Sequence, residues 1–183
     1  MNARQVKIHF NLIELIVVVT VFALLLVVLL PAYQRSRTNA LENQCKYNLK
    51  KLGNAVQMYY SRNQFYPNAQ EWIPQVRKDM VHFLSSFTCP VESDHSTLAE
   101  DTIPVHYGMN AALNNMRKHR EIADIDQTVL ITDALPNAIF VDLADNYKNV
   151  SFRHQNNGKP AGFNACFTDG SVRFVPAADK KDQ

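Results

Sequence analysis

Glu14 is the residue whose position most demands a chemical explanation. It stands near the start of LIELIVVVTVFALLLVVLL, Leu12 to Leu30, where it is the only charge and Thr20 the only other polar side chain. A carboxyl group in hydrocarbon costs on the order of 2.5–3.5 kcal/mol, less near a helix end, unless it is protonated or paired. Two readings follow: Glu14 snorkels to water at an interface, or it awaits a cation supplied by another molecule. The other reactive side chains are sparse. Cys45, Cys89 and Cys166 show no C-x-x-C spacing, so neither a zinc ribbon nor a thioredoxin-like motif is supported. His154, Asp133 and Asp169 are metal-ligand types without a diagnostic spacing, and His154 with Cys166 does not make a recognisable catalytic pair. His154 is expected to cap or hydrogen-bond a loop, and Asp169 is explained by a turn. Neither G-x-S-x-G nor H-E-x-x-H occurs. No enzymatic activity, cofactor or metal is expected.

These residues need elements to hold them. The Leu12–Leu30 run would cover roughly 28 Å as a helix, close to the thickness of a bilayer core. It is longer than the apolar region of a signal peptide and lacks a small-residue cleavage site, so a retained membrane helix is the better reading. Arg4 and Lys7 before it and Arg35 and Arg37 after it leave orientation nearly undecided by charge. Helical spacing continues beyond Pro31. Leu41, Cys45, Leu49, Leu52, Val56 and Tyr59 recur every three or four residues and lay down one apolar stripe. A helix from about Phe10 to Arg62 is predicted, kinked at Pro31 where an N–H is missing. Asn63, Pro67 and Asn68 end it.

The stripe needs a cover, which residues 63–183 must supply. A short helix is predicted around Trp72–Phe87, a short helix or loop over Asn110–Arg120, and strands at Val105–Met109, Thr128–Thr132 and Ala138–Leu143. Two alternating runs, Phe163–Thr168 and Ser171–Val175, flank Asp169-Gly170 and predict a hairpin, because that pair tolerates positive φ. Tyr59, Tyr60, Phe65, Tyr66 and Trp72 crowd the helix-to-head junction as a packing cluster. The net charge of +2, with dispersed lysines and arginines, argues against nucleic acid as a partner.

Phe10-Asn11-Leu12-Ile13-Glu14, the apolar run and Pro31 resemble the start of type IV prepilins and type II secretion pseudopilins. The resemblance implies an α+β pilin-like fold, a long N-terminal helix packed on a small antiparallel sheet. It divides the chain into a leader (1–9), an assembly half of the helix (10–31), an amphipathic half (32–62) and a periplasmic head (63–183). It implies cleavage between His9 and Phe10 by a prepilin peptidase and N-methylation of Phe10. Glu14, fifth in the mature chain, would pair with a neighbouring subunit's terminal amine. The implied location is a single pass through the bacterial inner membrane with the head periplasmic. The implied partners are other pilin-like subunits, the peptidase, the inner-membrane assembly machinery and the lipid bilayer. His9 departs from the pattern, since that position is normally Gly.

Further stretches resemble one pseudopilin-like group: Cys45 to Gly53 with Met58-Tyr59, Cys89-Pro90, Tyr107 to Asn110, a buried strand ending in Asp133, and Arg153-His154 followed by a spacer and Phe167-Thr168-Asp169-Gly170-Ser171-Val172. The spacer, Gln155 to Thr168, is longer than that group's usual one. Cys45 and Cys89 either form a disulfide tying helix to head or remain two buried thiols; Cys166 is expected to be core. Two functional classes stay open: a structural filament subunit, and a membrane-anchored periplasmic binding or sensor module that never polymerises.

Overall fold

The structure is a computed structural model that describes residues 11–78, 84–91, 104–116, 122–154 and 162–177. It has one long apolar N-terminal helix and a small mixed five-stranded sheet, an α+β fold of pilin-like type. Helix α1 spans Leu12–Asn63, and Pro31 lies inside it without ending it. At 1.5 Å per residue it is about 78 Å long. Its C-terminus closes through Gln64, which takes φ 65° and donates its N–H to the Tyr60 carbonyl at 2.7 Å. The Asn63 side chain donates to the Tyr59 carbonyl at 2.9 Å, satisfying another terminal acceptor.

The chain divides into two compact units, 1–40 and 41–183. The second contains the sheet, with strands β1 (Tyr107–Asn110), β2 (Val129–Asp133), β3 (Phe140–Val141), β4 (Gly162–Phe167) and β5 (Val172–Pro176). Their order is β3-β1-β2-β4-β5. All neighbouring pairs are antiparallel except β1 with β3, which run parallel. The apolar stripe of α1 lies on one face of this sheet. Cys45, Leu49, Leu52 and Val56 are each 0% exposed and cluster with Tyr107, Met109, Ile131 and Cys166. Gly53 allows the closest approach, because a Cβ there would run into the Cys166 sulfur.

The opposite face of the sheet is also covered. Phe163, Ala165 and Phe167 of β4 join Val129, Ala134, Val141 and Val150 in a second cluster, with Tyr147 and Phe152 packed on it. β2 and β4 are consequently buried along their whole length, which corrects the expectation of an alternating β4. The hairpin turn also differs from a two-residue Asp-Gly turn. β4 ends at Phe167 and β5 begins at Val172, and within the turn only Gly170 takes positive φ, at 84°. The region expected to be one helix over Trp72–Phe87 contains α2 (Trp72–Arg77) and a 3-10 turn (Leu84–Phe87), with 79–83 outside the described residues. The aromatic junction forms as pairs: Tyr59 with Phe65, Tyr60 with Tyr66, and Trp72 with Phe87. Trp72 is buried and donates its indole N–H to the Ile139 carbonyl at 2.6 Å.

Candidate functional site

Two regions hold the residues singled out by chemistry. The first is the start of α1. Every residue from Asn11 to Ala40 is exposed, including large apolar side chains such as Leu24 at 69% and Val28 at 72%. By length and composition this helix can cross a membrane, and none of its most apolar stretch is buried within the protein. Glu14 lies in the first turn, where its backbone N–H donates to the Asn11 carbonyl at 2.9 Å. A carboxyl group in that turn is favourably placed against the positive end of the helix dipole. His9 and Phe10 lie outside the described residues.

The second region is buried in the head. Cys45 on α1 and Cys89, just after the Leu84–Phe87 turn, are joined in a disulfide with a Cα–Cα separation of 5.3 Å. Neighbouring hydrogen bonds seat it: the Cys89 N–H donates to His106 Nδ1 at 3.0 Å, and Asn48 Nδ2 donates to the Thr88 carbonyl at 3.0 Å. Against this bridge lies the His154 ring, whose Nε2 is 3.7 Å from Cys89 Sγ and 3.3 Å from Asp133 Oδ2. His154 and Asp133 are almost completely buried, at 1% and 0% exposed. Asp133 ends β2, and its Oδ2 also accepts the Asn164 N–H at 2.6 Å. The His154 backbone exchanges two hydrogen bonds with Gly162, which ties the residue to the start of β4.

This arrangement corrects one expectation. His154 does more than brace a loop, since its ring is core, set between a carboxyl group and the disulfide. Asp169 stands apart from His154 and Asp133, in the turn that explains it. It lies in the hairpin turn, accepting the Ser171 N–H at 2.7 Å and facing Arg173 at 3.5 Å. Partial desolvation is the largest influence on its carboxyl and raises the pKa. Hydrogen bonds from Ser171, with the Arg173 and Lys50 charges, together outweigh it and hold the group below its ordinary range. The turn is also clamped to the helix: Lys50 Nζ donates to the Gly170 carbonyl at 2.5 Å and Gln57 Nε2 to the Thr168 carbonyl at 2.9 Å.

Cys166 is a buried free thiol facing α1, and desolvation pushes it up to about 11, so it is no nucleophile at neutral pH. Asp133 and His154 are legible as metal-ligand types and Cys89 as half of a disulfide; what the sequence does not show is that these three side chains meet.

Comparison with protein-family models, with curated proteins and with solved structures gave no match. The assignment of a role therefore rests on the chain's own chemistry.

Proposed function

We propose that the protein is a structural subunit of a type IV pilus-like or type II secretion pseudopilus filament, processed by a prepilin peptidase and stored in the inner membrane before assembly. The observation that carries this reading is the contrast between Leu12–Leu30, apolar and wholly exposed, and the single carboxyl group of Glu14 at its start. Leaving one Leu- or Val-sized side chain in water forfeits about 1.5–3 kcal/mol relative to burial, so this run requires lipid or other helices around it. Filament growth exchanges the lipid contacts for helix–helix contacts. In that setting Glu14 gains a terminal amine from the adjacent copy, which offsets the cost of holding a carboxylate in hydrocarbon.

The test is Glu14→Ala in the producing cell, with fractionation into membranes and sheared surface fibres. The subunit reading predicts a stable, membrane-inserted monomer at wild-type level and at least a tenfold loss from fibres, as roughly 1.4 kcal/mol per added subunit would give. Equal incorporation of the variant overturns it. A wild-type chain found only in membranes favours instead the anchored, non-polymerising module, a reading that the bulky His9 at the cleavage position supports.

A further inference from the structure

The buried residues beside the disulfide have a geometry that neither filament assembly nor ordinary packing uses. We propose that Cys45, Cys89, His154 and Asp133 form a four-ligand site for a zinc-type divalent cation when the disulfide is reduced, so that disulfide and metal are alternative occupants of one place in the head.

The geometry is the first argument. Cys45, Cys89 and His154 each offer a ligand atom, all within 4.8 Å of one another. In a tetrahedral zinc site with metal–sulfur bonds of about 2.3 Å and metal–nitrogen bonds of about 2.0 Å, sulfur and nitrogen ligands stand roughly 3.5 Å apart. Cys89 Sγ and His154 Nε2 are 3.7 Å apart. Nitrogen and oxygen ligands of the same ion stand roughly 3.3 Å apart. His154 Nε2 and Asp133 Oδ2 are 3.3 Å apart. The imidazole thus stands at ligand spacing from one sulfur and from the carboxyl group. To close around one ion the two sulfurs must separate, from bonding distance to roughly 3.8 Å, and one of them must approach the Asp133 carboxyl group.

The second argument is polar bookkeeping. Asp133 is fully buried, and its Oδ1 has no hydrogen-bond partner among the described residues. A carboxylate buried with so few partners is costly, and a cation held at its Oδ2 offsets the cost of its charge. The donor set selects the ion. Two thiolates and an imidazole suit zinc and similar borderline metals, whereas calcium takes six or more oxygens.

The redox step balances. A dithiol reductant gives two electrons and two protons to the Cys45–Cys89 bond, yielding two thiols and leaving as its own disulfide. Metal uptake forms two metal–sulfur bonds and releases both thiol protons to solvent. A small-molecule disulfide reverses the order: it takes two electrons from the two metal-bound thiolates and leaves as two thiolates, and the ion is expelled as the Cys45–Cys89 bond forms.

The experiment uses the full chain in detergent micelles, titrated with cobalt(II) alone, oxidised and after reduction with a phosphine, which avoids chelation by a dithiol. Reduced protein is expected to bind one cobalt per chain, with intense tetrahedral d–d bands and a thiolate-to-metal charge-transfer band, and zinc should displace it. Oxidised protein should show neither band. Cys166→Ser should leave the spectrum unchanged, and His154→Gln should weaken binding by at least about tenfold. A reduced wild type without the tetrahedral spectrum overturns the proposal, as does wild-type affinity in His154→Gln. If that variant does not fold, X-ray absorption on the zinc-loaded wild type decides: two sulfurs with a histidine ring support the site, and sulfur-only or oxygen-only coordination rejects it. Filament assembly is not read in this experiment, so its outcome is independent of the subunit reading.

Discussion

The two halves of α1 are built for different surroundings. From Leu12 to Ala40 no residue is buried, although the first part is almost purely apolar. From Leu41 to Asn63 the apolar residues are fewer, yet Cys45, Leu49, Leu52, Ala55 and Val56 are all buried against the head. Apolar content alone therefore does not say where the core is. Periodicity does. A stripe with polar residues on its flanks is made for a folded partner within the same chain, whereas a helix apolar on all sides is made for a surrounding medium or a bundle. One continuous helix thus carries a segment packed into the head and an apolar segment exposed along its length, and the two should respond independently to perturbation.

The sharpest separation comes from the disulfide. Closing a 44-residue separation contributes about 4 kcal/mol in the chain-entropy model. In chelator-treated buffer, reduction should lower the thermal midpoint of the head while membrane extraction behaviour stays unchanged; equal midpoints for oxidised and reduced protein contradict the account. Next in size is a matched pair of truncations. Leu52→Ala removes a side chain that is 0% exposed and should cost about 3 kcal/mol of head stability. Leu25→Ala, at 56% exposed, should leave that stability unchanged, measured by circular dichroism melts in detergent. Similar losses from both would mean that the halves are not distinct.

The smallest effect concerns pH and belongs to the head alone. The Asp169 carboxyl titrates below its ordinary range in the folded state. Its contribution is fully present above the unfolded pKa of about 4 and is lost as pH falls through the lower folded value. Asp169→Asn should therefore narrow the stability difference between neutral and acidic buffer, slightly and in a salt-sensitive way, since the group faces solvent. An identical pH profile in wild type and variant removes the turn interaction from the account.

Much of the fold was legible because its signals are local. Helix α1 was readable from continuous apolarity followed by a three-four stripe, and it ends at Asn63 as the Asn and Pro residues suggested. β2 was readable from TVLIT, shifted by one residue to Val129–Asp133. What stayed hidden is long-range. The parallel pairing of β1 with β3 leaves no mark in either four- or two-residue strand. The second core also escaped notice, because its cover is a loop. Asn137, Asn146, Tyr147 and Asn149 all take positive φ there, and Tyr147 does so without the local hydrogen-bonding side chain that makes Asn tolerant of it. Among the chemical residues, the Cys45–Cys89 alternative was visible as an alternative only, and the approach of Asp133 to His154 depends on the backbone bridge between His154 and Gly162.

The central claim is that Glu14 is tolerated in a hydrophobic helix because an adjacent copy offers it an amine. Intact-mass and N-terminal analysis of protein extracted from its own membranes tests this directly. The account predicts a mature chain starting at Phe10 with a methylated amine. A chain that retains Met1 or Asn2 at its start has no such amine to offer, and would contradict it.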